Sequence, residues 1–223
     1  MTGHAAARGA APEDAYDAAP FVPEGAGIEA LREAAAGCRG CPLHRDATRT
    51  VFGAGNAHGR VLLVGEQPGD QEDRQGAPFV GPAGQVLTRA LDEAGIEPDD
   101  TYVTNAVKHF KFTVVPERGK RRIHKSPSLR EAAACRPWLE AELRLVAPEV
   151  VVALGATAGK ALLGPSFRVT EQRGTLLPLP GHEELGACLV ATVHPSAVLR
   201  SRDREALYAG LVSDLRMAAR ALG

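Results

Sequence analysis

The chain has 223 residues, 44% of them hydrophobic, and a formal net charge of −1. That is room for one domain with a real core plus a tail, and the near-neutral balance excludes a protein held to nucleic acid by its overall field, so any basic signal must be local. No apolar run reaches the ~18 residues needed to cross a bilayer.

Residues 1–26 are rich in Ala, Gly and Pro and lack the apolar stretch of a secretory signal. They are expected to form a disordered tail, ahead of a single domain over 27–223 in a cytoplasmic, monomeric protein. Residues 27–37, GIEALREAAAG, predict a short helix that stops at Gly37. Cys38 and Cys41 follow as C-x-x-C, with Cys135 and Cys188 further on. Without an export signal this pattern points to a metal or redox site rather than disulfides.

Arg60–Gly65 is an apolar run of strand length. It breaks into a loop holding Glu66, Gln67, Asp70, Gln71, Glu72 and Asp73, then passes through Pro78-Phe79-Val80-Gly81 into a helical pattern over 82–95. A buried strand that delivers polar residues at its carboxyl end and leads into a helix is where open α/β sheets place their sites. Residues 101–107, TYVTNAV, predict a second strand carrying Asn105 near its end. An amide there offers both a donor and an acceptor, which suits the edge of a nucleobase.

Residues 108–127 show no period and read as a long loop, a length that in compact domains is usually functional or disordered. Within it Lys108, Lys111, Arg118, Lys120, Arg121, Arg122 and Lys125 stand against one acid, Glu117, and interleave with Phe110, Phe112 and Ile123. A solvated loop is the plain reading and phosphate binding the sharper one. His124 lies inside the run. Ser128 to Glu131 fits a capping box and starts a helix that carries Cys135 and ends before Pro148. Residues 149–155 predict a third strand and ATAGKALLG a short helix. GATAGK fails as a phosphate loop, because three residues rather than four separate its glycines and Ala161 stands where Ser or Thr is needed. FRVT, TLLPL and CLVATV are further strand candidates, the last delivering His194, and 203–221 is a closing helix. Strands alternating with helices predict a three-layer α/β/α sandwich around a mostly parallel sheet. If its strands are neighbours, Glu66 and His194 face one crevice, where the ring of Phe79 could stack a planar ligand.

GEQPGDQEDRQGAPFVGPAG, TNAVK and VHPSAVLR together resemble the iron–sulfur uracil-DNA glycosylases, over about residues 30–220. GEQPG and the insertion KRRIH resemble the X-type branch, which cross-links covalently to uracil-containing DNA. The resemblance implies the fold of that family and a [4Fe–4S] cluster held by Cys38, Cys41, Cys135 and His109, the histidine standing where ordinary members have a cysteine; Cys188 is the competing ligand, although its place in a strand pattern favours the core. It implies uracil bound by Gly65, Gln67, Asp70, Gln71, Phe79 and Asn105, with Gln67 excluding the thymine methyl group. His194 would support the leaving base, and His124, assisted by Glu66, would capture C1′ in a single turnover. Lys120, Arg121, Arg122, Ser196 and Arg200 would meet the backbone of DNA, preferentially single-stranded, with Leu199 as a wedge beside the flipped base. A conventional multiple-turnover glycosylase and a non-catalytic iron–sulfur DNA-binding module are the alternatives.

Overall fold

The computed structural model describes residues 16–115 and 121–223. The described part of the expected tail is packed on the domain. Ala18 is buried and its N–H donates to Ala134 O at 2.9 Å, while Tyr16, Phe21 and Val22 lie against an apolar cluster that includes Leu31 and Trp138.

Chain order gives α1 (Ile28–Ala36), β1 (Ala54–Gly55), β2 (Val61–Gly65), α2 (Asp70–Gln75), α3 (Pro82–Ala94), β3 (Thr101–Asn105), β4 (Phe112–Val115), β5 (Arg121–His124), α4 (Leu129–Val146), β6 (Val150–Leu154), α5 (Ala156–Leu163), α6 (Val169–Gln172), β7 (Leu176–Pro178), β8 (Cys188–Thr192), α7 (Pro195–Arg200) and α8 (Arg204–Ala221). The main sheet runs β1-β3-β2-β6-β8-β7. Its four central strands are parallel, and the short edge strands β1 and β7 are antiparallel. Every residue of β2 and β6 is buried, which is why both read as unbroken apolar runs: a parallel strand covered on both faces has no polar side to show.

Alternation along β2 sends Val61 and Leu63 to one face and Leu62 and Val64 to the other. The first pair packs with Leu87 and Ala90 of α3, Val198 of α7 and Leu211 and Leu215 of α8. The second packs with Leu139 and Leu143 of α4 and Ala158 and Leu162 of α5. This is the three-layer sandwich expected. From β2 the chain moves outward to β3, then crosses back to β6 on the other side of β2. The order therefore reverses at β2, and a crevice opens beyond the carboxyl ends of β2 and β6.

Three expectations need correction. FRVT is not a strand; Val169 opens the short helix α6. Asp70–Gln75, read as loop, is α2. Most consequentially, the expected loop at 108–127 contains an antiparallel hairpin, with Phe112 opposite His124 and Thr113 opposite Ile123.

Candidate active site

The crevice holds a cavity of about 350 Å³ bordered by Glu66, Phe79, Asn105, His124, Ser126 and His194, with Gln67, Ser196 and Arg200 also on its wall. Four separate stretches supply these groups, and each is fixed by its own local device.

Gly65 ends β2 and Asn105 ends β3, paired in register. A Cβ on Gly65 would lie 2.3 Å from Asn105 Oδ1 and 2.7 Å from Phe79 Cζ, so only glycine lets the amide and the ring converge there. Phe79 itself has φ +55. Few bulky residues adopt that conformation, and it stores strain of order ~1–3 kcal/mol. Gly84 makes it possible: a Cβ there would stand 1.6 Å from Phe79 O. Glu72 ties the same loops together by accepting from Gly69 N at 3.1 Å and Gly81 N at 2.8 Å. The Phe79 ring ends up near-parallel to His194, with centroids 6.1 Å apart.

His194 caps α7, its Nδ1 accepting from Ser196 N at 3.1 Å. A backbone N–H aimed at Nδ1 requires a lone pair there, so the neutral ring carries its proton on Nε2. Burial pushes His194 down to about 4, outweighing the pull of the Glu66 carboxylate, and Arg200 and His124 act in the same direction as burial. The ring is therefore a neutral N–H donor near pH 7.

His124 ends β5 with a half-exposed side chain, its Nε2 3.4 Å from Glu66 Oε1. Burial lowers its pKa, Glu66 opposes that and Arg200 adds to it, so this ring too is neutral near pH 7. Arg122, two residues earlier, explains why His124 stays put. It reaches Asp73 Oδ2 at 2.6 Å, pairs with Asp70 Oδ1 and contacts Thr48 Oγ1 at 3.1 Å, while its guanidinium lies over Phe112 and Phe110. At the neck of the hairpin Gln67 donates to Lys125 O at 3.0 Å and Lys111 O at 3.2 Å and accepts from Lys111 N at 3.1 Å.

These contacts revise several expected roles. Arg122 is 11% exposed at its side chain and is committed to acids of the same chain rather than offered to DNA phosphates. Lys108 is buried against Glu142 Oε2 at 2.5 Å, and Lys111 pairs with Glu131 at 2.8 Å, so the basic run is far from unopposed. Asp70 turns to Arg74 and Arg122, Gln71 is exposed, and neither borders the cavity. Gln67 does border it, but its amide is occupied by the hairpin. Arg121 is exposed, Leu199 is half-buried away from the cavity wall, and Lys120 lies outside the described residues. Ser196 bonds His194, and Arg200 Nη1 donates to Ser196 Oγ at 3.1 Å. Sequence reasoning missed Thr157, whose hydroxyl donates to Glu66 Oε2. The signal was available in GATAGK, a glycine-led helix start directly after a buried strand.

Away from the cavity, Cys38, Cys41 and Cys135 are buried in one cluster with Trp138. Lys108 N donates to Cys135 Sγ at 3.3 Å and Trp138 Nε1 to Cys38 Sγ at 3.2 Å. Burial pushes Cys135 up to about 12 and also raises Cys41. Thiolates would thus require a compensating cation, yet N–H donors are already aimed at sulfur. His109 adds a buried Nδ1 with no hydrogen-bond partner, its Nε2 being bonded to Thr50 Oγ1 at 2.9 Å. An orphaned buried nitrogen costs ~1–3 kcal/mol unless something ligates it. Among the described residues no group of three or more His, Cys, Asp or Glu is set to hold a single metal ion. Three thiols and one imidazole are donor types that iron–sulfur centres use. Cys188 sits at the start of β8, in a different part of the fold.

Residues 52–216 match the Uracil DNA glycosylase superfamily. The chain belongs to that superfamily. It is 38% identical over 179 residues to the Type-4 uracil-DNA glycosylase of Thermotoga maritima, covering 80% of this chain and 86% of that one. It is 34% identical over 193 residues to the Type-4 enzyme of Pyrobaculum aerophilum, covering 85% and 92%. Similarity extends to the Type-5 uracil-DNA glycosylase of Mycobacterium tuberculosis, 32% identical over 159 residues and covering 66% and 58%. The cavity lies at the β2/β6 switch point, and the hairpin presents His124 to its edge.

Proposed function

We propose that this superfamily member excises uracil from DNA, preferring single strands, and then bonds itself to the sugar through His124. The observation that carries the covalent reading is the 3.4 Å approach of His124 Nε2 to Glu66 Oε1 at the edge of a cavity that also holds Asn105, Phe79 and His194. The names of the relatives support uracil-DNA as substrate. The preference for single strands follows from the unstacking energy, a few kcal/mol, that a duplex would demand before its base could enter.

The base stacks beside Phe79 and is read by the Asn105 amide, which is buried and borders the cavity. As the C1′–N1 bond lengthens, its electron pair moves onto uracil, and the Nε2–H of His194 donates to the carbonyl where that charge gathers. The Glu66 carboxylate faces the cation-like sugar. The neutral His124 ring supplies the lone pair of Nε2, forming the C1′–N bond. The resulting imidazolium loses its Nδ1 proton to water, and the departing uracil takes one up. A neutral N-alkyl imidazole is a poor leaving group, so the adduct persists and each molecule acts once.

Cys38, Cys41, Cys135 and His109 would hold a [4Fe–4S] cluster whose part is structural. It would tie α1 to α4 and to the segment after β3 that carries Asn105. The protein residues alone perform the base chemistry.

Uracil-containing single-stranded oligonucleotide, followed by a denaturing gel, tests the proposal. A protein band shifted by the mass of the DNA is expected. Abasic DNA with no shifted band would leave the conventional glycosylase, and intact uracil DNA would leave only a binding module.

A further inference from the structure

Glu66 has two carboxylate oxygens, and the fold treats them differently. Oε2 receives the hydroxyl of Thr157, while Oε1 faces His124. The terminal torsion of a glutamate is broad and roughly two-fold, so without a second partner the two oxygens would exchange places and the carboxylate plane would swing.

Thr157 comes from the turn that leads from β6 into α5. That turn is set by Gly155, at φ +88, whose N–H donates to Thr192 O at 2.8 Å. A Cβ on Gly155 would stand 3.0 Å from His194 Cβ. The segment is therefore wedged against the strand end that presents His194 on one side and against Glu66 on the other. Thr157 is not part of the cavity wall that Glu66 lines; it borders a separate groove with Ala106, Leu129, Arg136 and Lys160. It can reach the substrate only through Glu66.

We propose that Thr157 is a positioning residue that fixes the Glu66 carboxylate so that Oε1 meets His124 and the sugar. This rests on the covalent reading for the role of His124, but not for the contact itself. A loosened carboxylate supports the cation-like sugar less well and orients His124 less well, so water competes for C1′.

Thr157→Val keeps the branched shape and removes the hydroxyl, and Thr157→Ser keeps the hydroxyl. In single-turnover reactions with uracil-containing single-stranded oligonucleotide, Thr157→Val should slow base release by roughly 10- to 100-fold, the loss expected for a hydrogen bond to a charged group. It should also lower the ratio of adduct to free abasic product. Thr157→Ser should restore both. In a Glu66→Gln background, Thr157→Val should add no further loss, because residues that act through one group are not additive. Wild-type rate and product ratio in Thr157→Val would overturn the proposal. So would a Thr157→Ser defect as large as the valine variant's, which would indicate packing alone. If wild-type protein yields no adduct at all, the covalent reading fails by itself, and base release in the same variants still decides the role of Thr157.

Discussion

His124 and Phe112 face each other across the β4–β5 hairpin, and it is this cross-strand pairing, with Arg122 two residues away pinned to α2, that brings an imidazole to the edge of the cavity. The insertion that carries KRRIH is thus a braced arm. Arg122 is its structural anchor, and His124 stands beyond it at the edge of the cavity.

Arg122→Met should separate these two jobs. The change leaves Asp73, fully buried, without its charged partner, and breaking a near-buried pair should cost about 3 kcal/mol, as a drop in the denaturant midpoint. Adduct yield should fall at least about tenfold while DNA affinity changes little, because the side chain is committed to Asp70 and Asp73. Unchanged stability together with weakened DNA binding would instead make Arg122 a phosphate contact.

Gly65→Ala tests the convergence of Asn105 and Phe79. The added carbon would meet Asn105 Oδ1 and the Phe79 ring, and a displacement of about 1 Å at a reacting site costs roughly 100-fold in rate. Uracil release in a single turnover should fall by that order with the fold retained by circular dichroism. A rate within a factor of about two would mean that the base is held elsewhere.

The sandwich and the convergence of Glu66, Asn105 and His194 on one crevice were legible because each depends on a local pattern: an apolar or β-branched strand with a polar residue at its carboxyl end. The hairpin was not legible. Its second strand carries Arg121, Arg122 and His124 in place of an alternating apolar face, and what holds the hairpin is long-range, Arg122 to Asp70 and Asp73 and Gln67 to the backbone of Lys111 and Lys125. A count of charges could not reveal that Lys108, Lys111 and Arg122 already had partners. Thr157 was missed for a similar reason, since its segment was weighed only against phosphate binding.

The pH dependence follows from burial. His124 must be neutral to donate its lone pair, and its pKa lies below the ordinary 6.5. As pH falls through the lowered value the ring takes a proton and the nucleophile is lost. The acid limb of adduct formation should therefore have its midpoint below 6.5, with the rate at pH 6.5 still more than half the plateau. His194, at about 4, should not contribute before more acid pH. A midpoint at or above 6.5 would contradict this.

His109→Ala should lower the iron content of purified protein and its visible absorbance, whereas Cys188→Ala should leave both unchanged. The reverse pattern would move the fourth ligand to β8. Chelation that removes iron should loosen the packing around Cys38, Cys41 and Cys135 and lower thermal stability, with His124 unaffected as a nucleophile in whatever fraction stays folded.

The most direct measurement is mass spectrometry of the peptide recovered after reaction with uracil-containing single-stranded DNA and nuclease digestion. A deoxyribose-linked adduct localised to His124, present in wild type and lost in His124→Ala while uracil is still released, is the predicted result. A sugar found on another residue, or free abasic DNA with unmodified protein, would contradict the account.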